Sequence, residues 1–467
     1  MKSNSIEIFK NAPIPKAVLV NAIPSIVSMI MVLIYNLADT FFIGQTGVGD
    51  MVTAVSLVTP AFLIFMAVGM IFGIGGTSLI SRKLGEGNEE IAKKVSSFCF
   101  WTGTVIGIVC MGLIWLFLEP LCRIIGASDA TMEFTKSYFS IVSISLPFLI
   151  VSNAFSNIIR AEGKANVAMI GMIIGNMLNV ILDPIMISVL GWGIAGAAWA
   201  TVFGNVFAFV FYLFHILSKN SIFSISLKDY SAKNGIFSGV FKIGIPASLN
   251  SMLMSVSNIV VNNFMSAFCD DAVGGLGIAF KVNTITVMLL IGLGTGIQPL
   301  LGYCFGAKNV KRFTGVMKFS CVLAFIMSVI MSLVTFFLSE PLVMAFIKVQ
   351  TQIDYGTTFV KILLISGPVL GVLFVMINAL QAMGAAIPSL ILSASRQGII
   401  YIPLLIIINA LTNTEFMLVL TQPITDYCAV ILAVCLFLLT FKKFKKAVEK
   451  VEENNQTEIQ AQNVEEN

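Results

Sequence analysis

The sequence predicts an all-α membrane protein: twelve transmembrane helices in two homologous six-helix lobes. Three observations predict it. First, mean hydropathy is +0.94 and 11% of residues are charged, where a soluble domain carries about 25%. Lipid is therefore the solvent for most of the chain. Second, apolar runs of about 20 residues, each long enough to cross the hydrocarbon core, recur from end to end. Third, the chain repeats itself. Glu119-Pro120-Leu121 returns as Glu340-Pro341-Leu342, Pro147 as Pro368, Asn157 as Asn378 and Gly163 as Gly384. Ile23-Pro24-Ser25 returns as Ile245-Pro246-Ala247. Two such halves usually make a machine that rocks one half against the other.

The first half holds runs at 17–43, 52–80, 95–118, 137–159, 167–189 and 194–217; the second at 240–267, 276–303, 316–338, 357–380, 387–410 and 416–441. Strands of a membrane barrel alternate apolar and polar, whereas these runs are apolar all round. The first run is no cleaved signal peptide: it is too long and carries Asn36 and Asp39 where a small-residue cleavage site belongs. Residues 218–239, the longest internal polar stretch, link an N-terminal lobe (1–217) to a C-terminal lobe (240–446). The Glu-, Asn- and Gln-rich residues 447–467 are expected to be a disordered cytoplasmic tail. With both termini in the cytoplasm, 22 Lys and Arg residues fall on that side, against Arg123, Lys136, Lys348 and Lys361 outside. The positive-inside rule selects this topology, and the net charge of +4 follows from it, with no nucleic-acid partner implied. The eight cysteines form no CxxC pair and act as small hydrophobes.

Each half carries proline at matching points. Pro24 and Pro246 sit early in spans one and seven; Pro147 and Pro368 sit inside spans four and ten. A mid-helix proline removes a backbone hydrogen bond and kinks the helix. At Pro24 and Pro246 the alternatives are a static kink and a gating bend. Spans two and eight are rich in glycine, which lets membrane helices approach closely.

Carboxylates inside spans are few: Asp39, Asp183 and Asp426. Each costs on the order of 2.5–3.5 kcal/mol at the bilayer centre on insertion scales, so each needs a partner or a function. On span five Asn176, Asn179 and Asp183 lie three and four apart and form one polar stripe. Asn36 and Asp39 on span one, and Thr201 and Asn205 on span six, do the same. These three faces are expected to meet in an oxygen-rich pocket inside the first half. The alternative for Asn and Thr is interhelical hydrogen bonding alone, but such bonding needs no charge, so the aspartates point to function. Asp426 falls opposite Asn205 in the repeat and either lines the cavity or pairs structurally. Arg396 is expected in an ion pair or snorkelling, and His215 at the interface.

Asn179-Val180-Ile181-Leu182-Asp183-Pro184 resembles the fifth-span signature of the multidrug and toxic compound extrusion (MATE) family. Gly193-Ile194-Ala195-Gly196-Ala197-Ala198-Trp199-Ala200-Thr201 resembles its sixth-span signature. Asn36-Leu37-Ala38-Asp39-Thr40, Arg160-Ala161-Glu162-Gly163 and Ser395-Arg396-Gln397-Gly398 also resemble the family. The likeness covers about residues 10–445 and is nearest to the bacterial MepA-like branch. It implies two lobes forming a V around a central cavity, in a bacterial cell membrane, that export cationic amphipathic drugs in exchange for Na+ or H+. It also implies a cation site at Asp39, Asn179, Asp183 and Thr201, with the carbonyl of Ala197 as a fifth oxygen. A branch of the family uses acidic residues in spans seven and ten; this chain has none there, so a second site of that type is not expected.

The expectation is thus a monomeric antiporter that binds drug-like cations and the lipid bilayer, with no enzyme activity and no cofactor beyond the coupling ion. No GxxxxGK[ST] loop exists for ATP, and no HExxH or paired DxxxD for a membrane-embedded enzyme. A flippase for a lipid-linked saccharide is the rival; it calls for several cations in the cavity, whereas only Arg396 and Lys281 lie within spans. At the repeat positions of Asp39 and Asp183 the second half has Val261 and Leu404, so only the first half is expected to hold the ion.

Overall fold

The computed structural model describes residues 4–44, 49–412 and 414–465, and among them every regular element is helical. In the first half these are α1 (Asn4–Asn11), α2 (Ile14–Gly44), α3 (Gly49–Gly85), α4 (Glu89–Leu116), α5 (Leu118–Ile124), α6 (Met132–Ser143), α7 (Leu146–Ala161), α8 (Ala165–Pro184) and α9 (Gly193–Leu217). The second half follows with α10 (Ile236–Met265), α11 (Asp270–Gly306), α12 (Val310–Phe337), α13 (Ser339–Met344), α14 (Gln350–Leu363), α15 (Gly367–Ala382), α16 (Ala386–Ala394), α17 (Tyr401–Thr412) and α18 (Glu415–Glu465). Ten spans are long and apolar enough to cross a membrane, or twelve when each of two bent pairs counts as one.

The repeat is visible in detail. Asn88 caps α4 by accepting from the amide of Ile91 at 3.0 Å, and Asn309 caps α12 by accepting from that of Arg312 at 2.9 Å. The residue before each cap is left-handed: Gly87 at φ +77° and Lys308 at φ +53°. The bent pairs are repeat partners too: α6–α7 turns by 52° and α14–α15 by 55°. Spans four and ten are therefore broken helices rather than kinked ones. Pro147 and Pro368 stand in the first turn of the second segment, where a missing N–H costs nothing. Ser145 and Ser366 close the breaks by donating to the carbonyls of Val142 and Leu363. In contrast, α2 and α10 run through Pro24 and Pro246 without interruption.

α1 and the Phe444 turn of α18 lie together at one end of the molecule, the termini end. Phe9 of α1 stacks near Tyr303, and Phe444 of α18 packs on Phe305 and Phe313. The Arg312 guanidinium donates to the carbonyls of Ile8, Phe9 and Ala12, which satisfies the C-terminal end of α1. The tail differs from expectation: α18 continues as helix to Glu465. Val448 is still buried against the body, and Lys445 pairs with Glu449 one turn on at 3.5 Å, in a segment rich in strong helix formers.

The link between halves is tied down. Its extended run lies along α4: Ser96 Oγ donates to the carbonyl of Ser224 at 2.9 Å, Ser97 Oγ to Ser226 at 2.8 Å and Trp101 Nε1 to Ile225 at 2.8 Å. Each half has its own apolar core, but the first helix of each begins on the other half. Ala17, Val18 and Ala22 of α2 sit in the core with Leu293, Ile297 and Leu300. Ile236 and Val240 of α10 sit in the core with Phe72 and Ile80. At the termini end the two halves therefore interlock. Gly75 faces the carbonyl of Val240, Gly244 that of Ile71, Gly306 that of Arg82, and Gly296 that of Asn21. Ser78 Oγ donates across to the carbonyl of Gln381 at 2.5 Å.

Candidate cation site

The far ends of α2, α8 and α9 converge inside the first half. α8 carries Asn179 and Asp183 on one face, and both are buried, Asp183 completely. Immediately after it, Pro184 ends the regular ladder and Ile185–Val189 form a π-helical turn closed by the amide of Leu190 donating to Ile185. Such turns are frequent at functional sites. The turn packs backbone to backbone on Gly196 of α9. That contact fixes Thr201 one turn further along, opposite Asn179.

Asn179 Nδ2 donates to Thr201 Oγ1 at 3.3 Å, Thr201 Oγ1 donates to the carbonyl of Ala197 at 3.1 Å, and Asn205 Nδ2 donates to that of Thr201 at 3.0 Å. The predicted set thus comes together, with Asp39 near enough to Asp183 to act on it electrostatically. Two tyrosines that sequence reasoning missed complete the cluster. Tyr35 of α2 lies within electrostatic reach of Asp39, Asp183 and Thr201, and Tyr138 of α6 within reach of the same two carboxylates. Tyr35 stands one helical turn before Asp39, a spacing that could have found it. Tyr138 had no such signal, because only the packing of α6 on α3 and α9 places it.

The chemistry of the cluster lies in its unmatched acceptors. Both Asp183 oxygens, Asp39 Oδ1 and Asn179 Oδ1 are buried without any hydrogen-bond donor. Leaving a buried acceptor unmatched costs about 1–3 kcal/mol, more for a charged one. Four such oxygens on the packed helices α2 and α8 are acceptors that a hard cation or a proton satisfies. Asn176 lies one turn nearer the termini with its Nδ2 buried and unmatched, while Asn36 is exposed on α2.

The second half handles its carboxylate in the opposite way. Asp426 Oδ1 accepts from Arg396 Nε at 2.9 Å and from Gln422 Nε2 at 3.1 Å, and Oδ2 accepts from Ser366 Oγ at 2.8 Å. The Arg396 guanidinium also lies over the Phe374 ring at 5.2 Å. Of the two alternatives for Asp426, structural pairing is the one observed, and Arg396 is its partner. His215 meets Glu162 at the termini end, Nε2 to Oε2 at 3.2 Å.

The family model MatE matches residues 24–185 and again 246–407. The chain belongs to the MatE family. The two matched segments begin at Pro24 and at Pro246, so the model finds the internal repeat independently. The multidrug export protein MepA of Staphylococcus aureus (strain MRSA252) is 31% identical over 411 residues, which cover 88% of this chain and 91% of MepA. MepA of Staphylococcus saprophyticus is 29% identical over 442 residues, covering 94% and 97%. These relatives are named as transporters rather than enzymes. Among solved structures, MATE in complex with MaL6 superposes with a TM-score of 0.90 at 22% identity, over 95% of this chain and all of that one. An outward-facing multidrug resistance MATE transporter gives 0.90 at 23% identity, over 95% and 99%. The two-lobe MATE fold is thus the fold of this chain.

Proposed function

We propose that this MATE protein is a secondary multidrug antiporter, which exports cationic amphipathic compounds in exchange for Na+ or H+ bound between Asp39 and Asp183. The observation that carries the reading is the contrast between lobes. Asp426 is neutralised by Arg396, whereas Asp39 and Asp183, near enough to act on each other electrostatically, keep acceptors unmatched. An imported cation supplies the missing charge. Tyr35, Asn179, Thr201 and the Ala197 carbonyl offer further oxygens, and oxygen-only ligands suit a hard cation.

The geometry of α2 supplies the coupling. Its first turns are wedged into the opposite half, where Asn21 and Ala22 meet Gly296 and Ile26 meets Gly292. Its far end carries Tyr35 and Asp39. Pro24 stands between the two and leaves the carbonyl of Val20 without its helical donor. Cation binding draws the far end of α2 toward α8 and α9, and the bend at Pro24 passes that movement to the seal between halves. The drug's hold weakens while the cleft is open outward; the lobes then rock, and the cation leaves on the other side.

Everted vesicles with an imposed Na+ or H+ gradient test this directly. Asp39→Asn and Asp183→Asn should abolish gradient-driven drug transport while the protein still inserts and folds. Full transport in both variants refutes the site.

A further inference from the structure

The last turn of α7 buries a positive charge. Arg160 is 1% exposed. Its Nη1 donates to Asn157 Oδ1 at 2.9 Å, its Nη2 lies 3.6 Å from Met172 Sδ, and its Nε is buried with no acceptor. Among the described residues no carboxylate lies within ion-pairing distance of it. Glu162, two residues on, is taken by Lys164 at 3.0 Å and by His215. A buried charge is normally paired, and the paired Arg396 shows that this fold can supply a partner. Arg160 has been left without one.

Its position gives the reason. Polar side chains follow one another along the interior of the first lobe. On α8 they are Asp183, Asn179 and Asn176, with Met172 next; on α9, Thr201 and Asn205, then Tyr212 and His215; on α7, Asn153, Asn157 and Arg160. Steps of three, four and seven keep each series on one helix face. The series begins at the two-carboxylate site and ends at Glu162 on the termini end. A polar column with acid groups at both ends attracts cations and protons, and a leak along it would discharge the gradient that drives transport. Arg160 stands within this column, between Asp183 and Glu162. A guanidinium stays protonated at any physiological pH, and in a poorly screened interior it repels a second cation far more strongly than in water.

We infer that Arg160 is an electrostatic plug: its unpaired guanidinium closes the interior of the first lobe to cations, so that the coupling ion reaches and leaves Asp39 and Asp183 only through the cleft between lobes. The inference rests on the cation-coupled reading proposed above.

The test uses the full chain in liposomes without drug. Radioactive sodium uptake and the pH of a trapped dye are followed under an imposed gradient, for wild type, Arg160→Gln, Arg160→Lys and Asn157→Asp. The last variant is close to isosteric and keeps the arginine, but neutralises it with a carboxylate at the 2.9 Å contact. Arg160→Gln and Asn157→Asp should leak about tenfold faster than wild type, the change produced by a barrier lowered by about 1.4 kcal/mol. Arg160→Lys should hold the gradient within about twofold of wild type, since it keeps the charge. If Arg160→Gln fails to fold, Asn157→Asp decides alone. The plug is overturned if Asn157→Asp is as tight as wild type, or if Arg160→Lys leaks as fast as Arg160→Gln. Wild type that shows no ion-driven drug transport, yet shows this leak pattern, refutes the coupling reading and leaves the plug standing.

Discussion

The seal at the termini end makes a quantitative prediction. A Cβ added at Gly306 would stand 2.0 Å from the carbonyl oxygen of Arg82; at Gly75 it would stand 2.1 Å from that of Val240, and at Gly244 2.2 Å from that of Ile71. Ordinary contact begins at 3.4 Å, so Gly306→Ala requires the two backbones to part by 3.4 minus 2.0 Å, or 1.4 Å. No flexible side chain is available to absorb the movement, because each obstacle is backbone. Overpacking of this kind costs about 1–3 kcal/mol, and the cost is borne only while the halves are sealed. The equilibrium should therefore shift toward the unsealed state by about 5- to 150-fold. Spin labels at Glu89→Cys and Lys311→Cys, in a background lacking the native cysteines, report the separation across the seal. A longer distance should gain population in Gly306→Ala and Gly244→Ala. Gly112→Ala meets nothing within 4 Å and should leave the distribution unchanged. If the seal variants fold and keep the wild-type distances, the backbone contacts do not hold the lobes together and the reasoning fails.

Two further predictions concern charges away from the cation site. Asp426→Asn strands the buried Arg396, a loss of about 3–5 kcal/mol for a broken buried pair. Thermal unfolding should show a lowered midpoint while ion dependence of transport persists; an unchanged midpoint contradicts the pairing. At Glu162, burial pushes the carboxyl up, but hydrogen bonds from His215, Ser221 and the Ile222 amide and the charge of Lys164 outweigh it and hold the group below its ordinary value of 4.5. A depressed carboxylate contributes stability above its unfolded value and loses it as pH falls through the lower folded one. The link between halves should thus stay docked at neutral pH and loosen only in acid below the ordinary range. Trp101, whose indole donates to Ile225 in the link, reports this by fluorescence once the other tryptophans are replaced, and Glu162→Gln should abolish the acid step.

The candidate site was half legible in the sequence. Asn179 and Asp183, and Thr201 and Asn205, could be placed on common faces because helical spacing is a local property. So could Tyr35, one turn before Asp39. Tyr138 could not, nor could the pairing of Arg396 with Asp426, because residues 30 apart in sequence meet only when helices pack. The same limit applies to Pro147 and Pro368. Their presence predicted distortion, but whether a proline kinks a continuous helix or opens a broken one depends on what the freed backbone groups then meet.

Hydropathy and repetition alone determined the membrane, the number of spans and the two equivalent halves, because these follow from composition and covalent order. Tertiary structure decided what each buried charge meets. Asp426 finds a guanidinium, Asp183 finds a second carboxylate, and Arg160 finds no anion among the described residues. In a medium with no water to screen it, a charge is defined by its neighbours, and those neighbours come from distant parts of the chain. Two halves with one fold can therefore differ in chemistry.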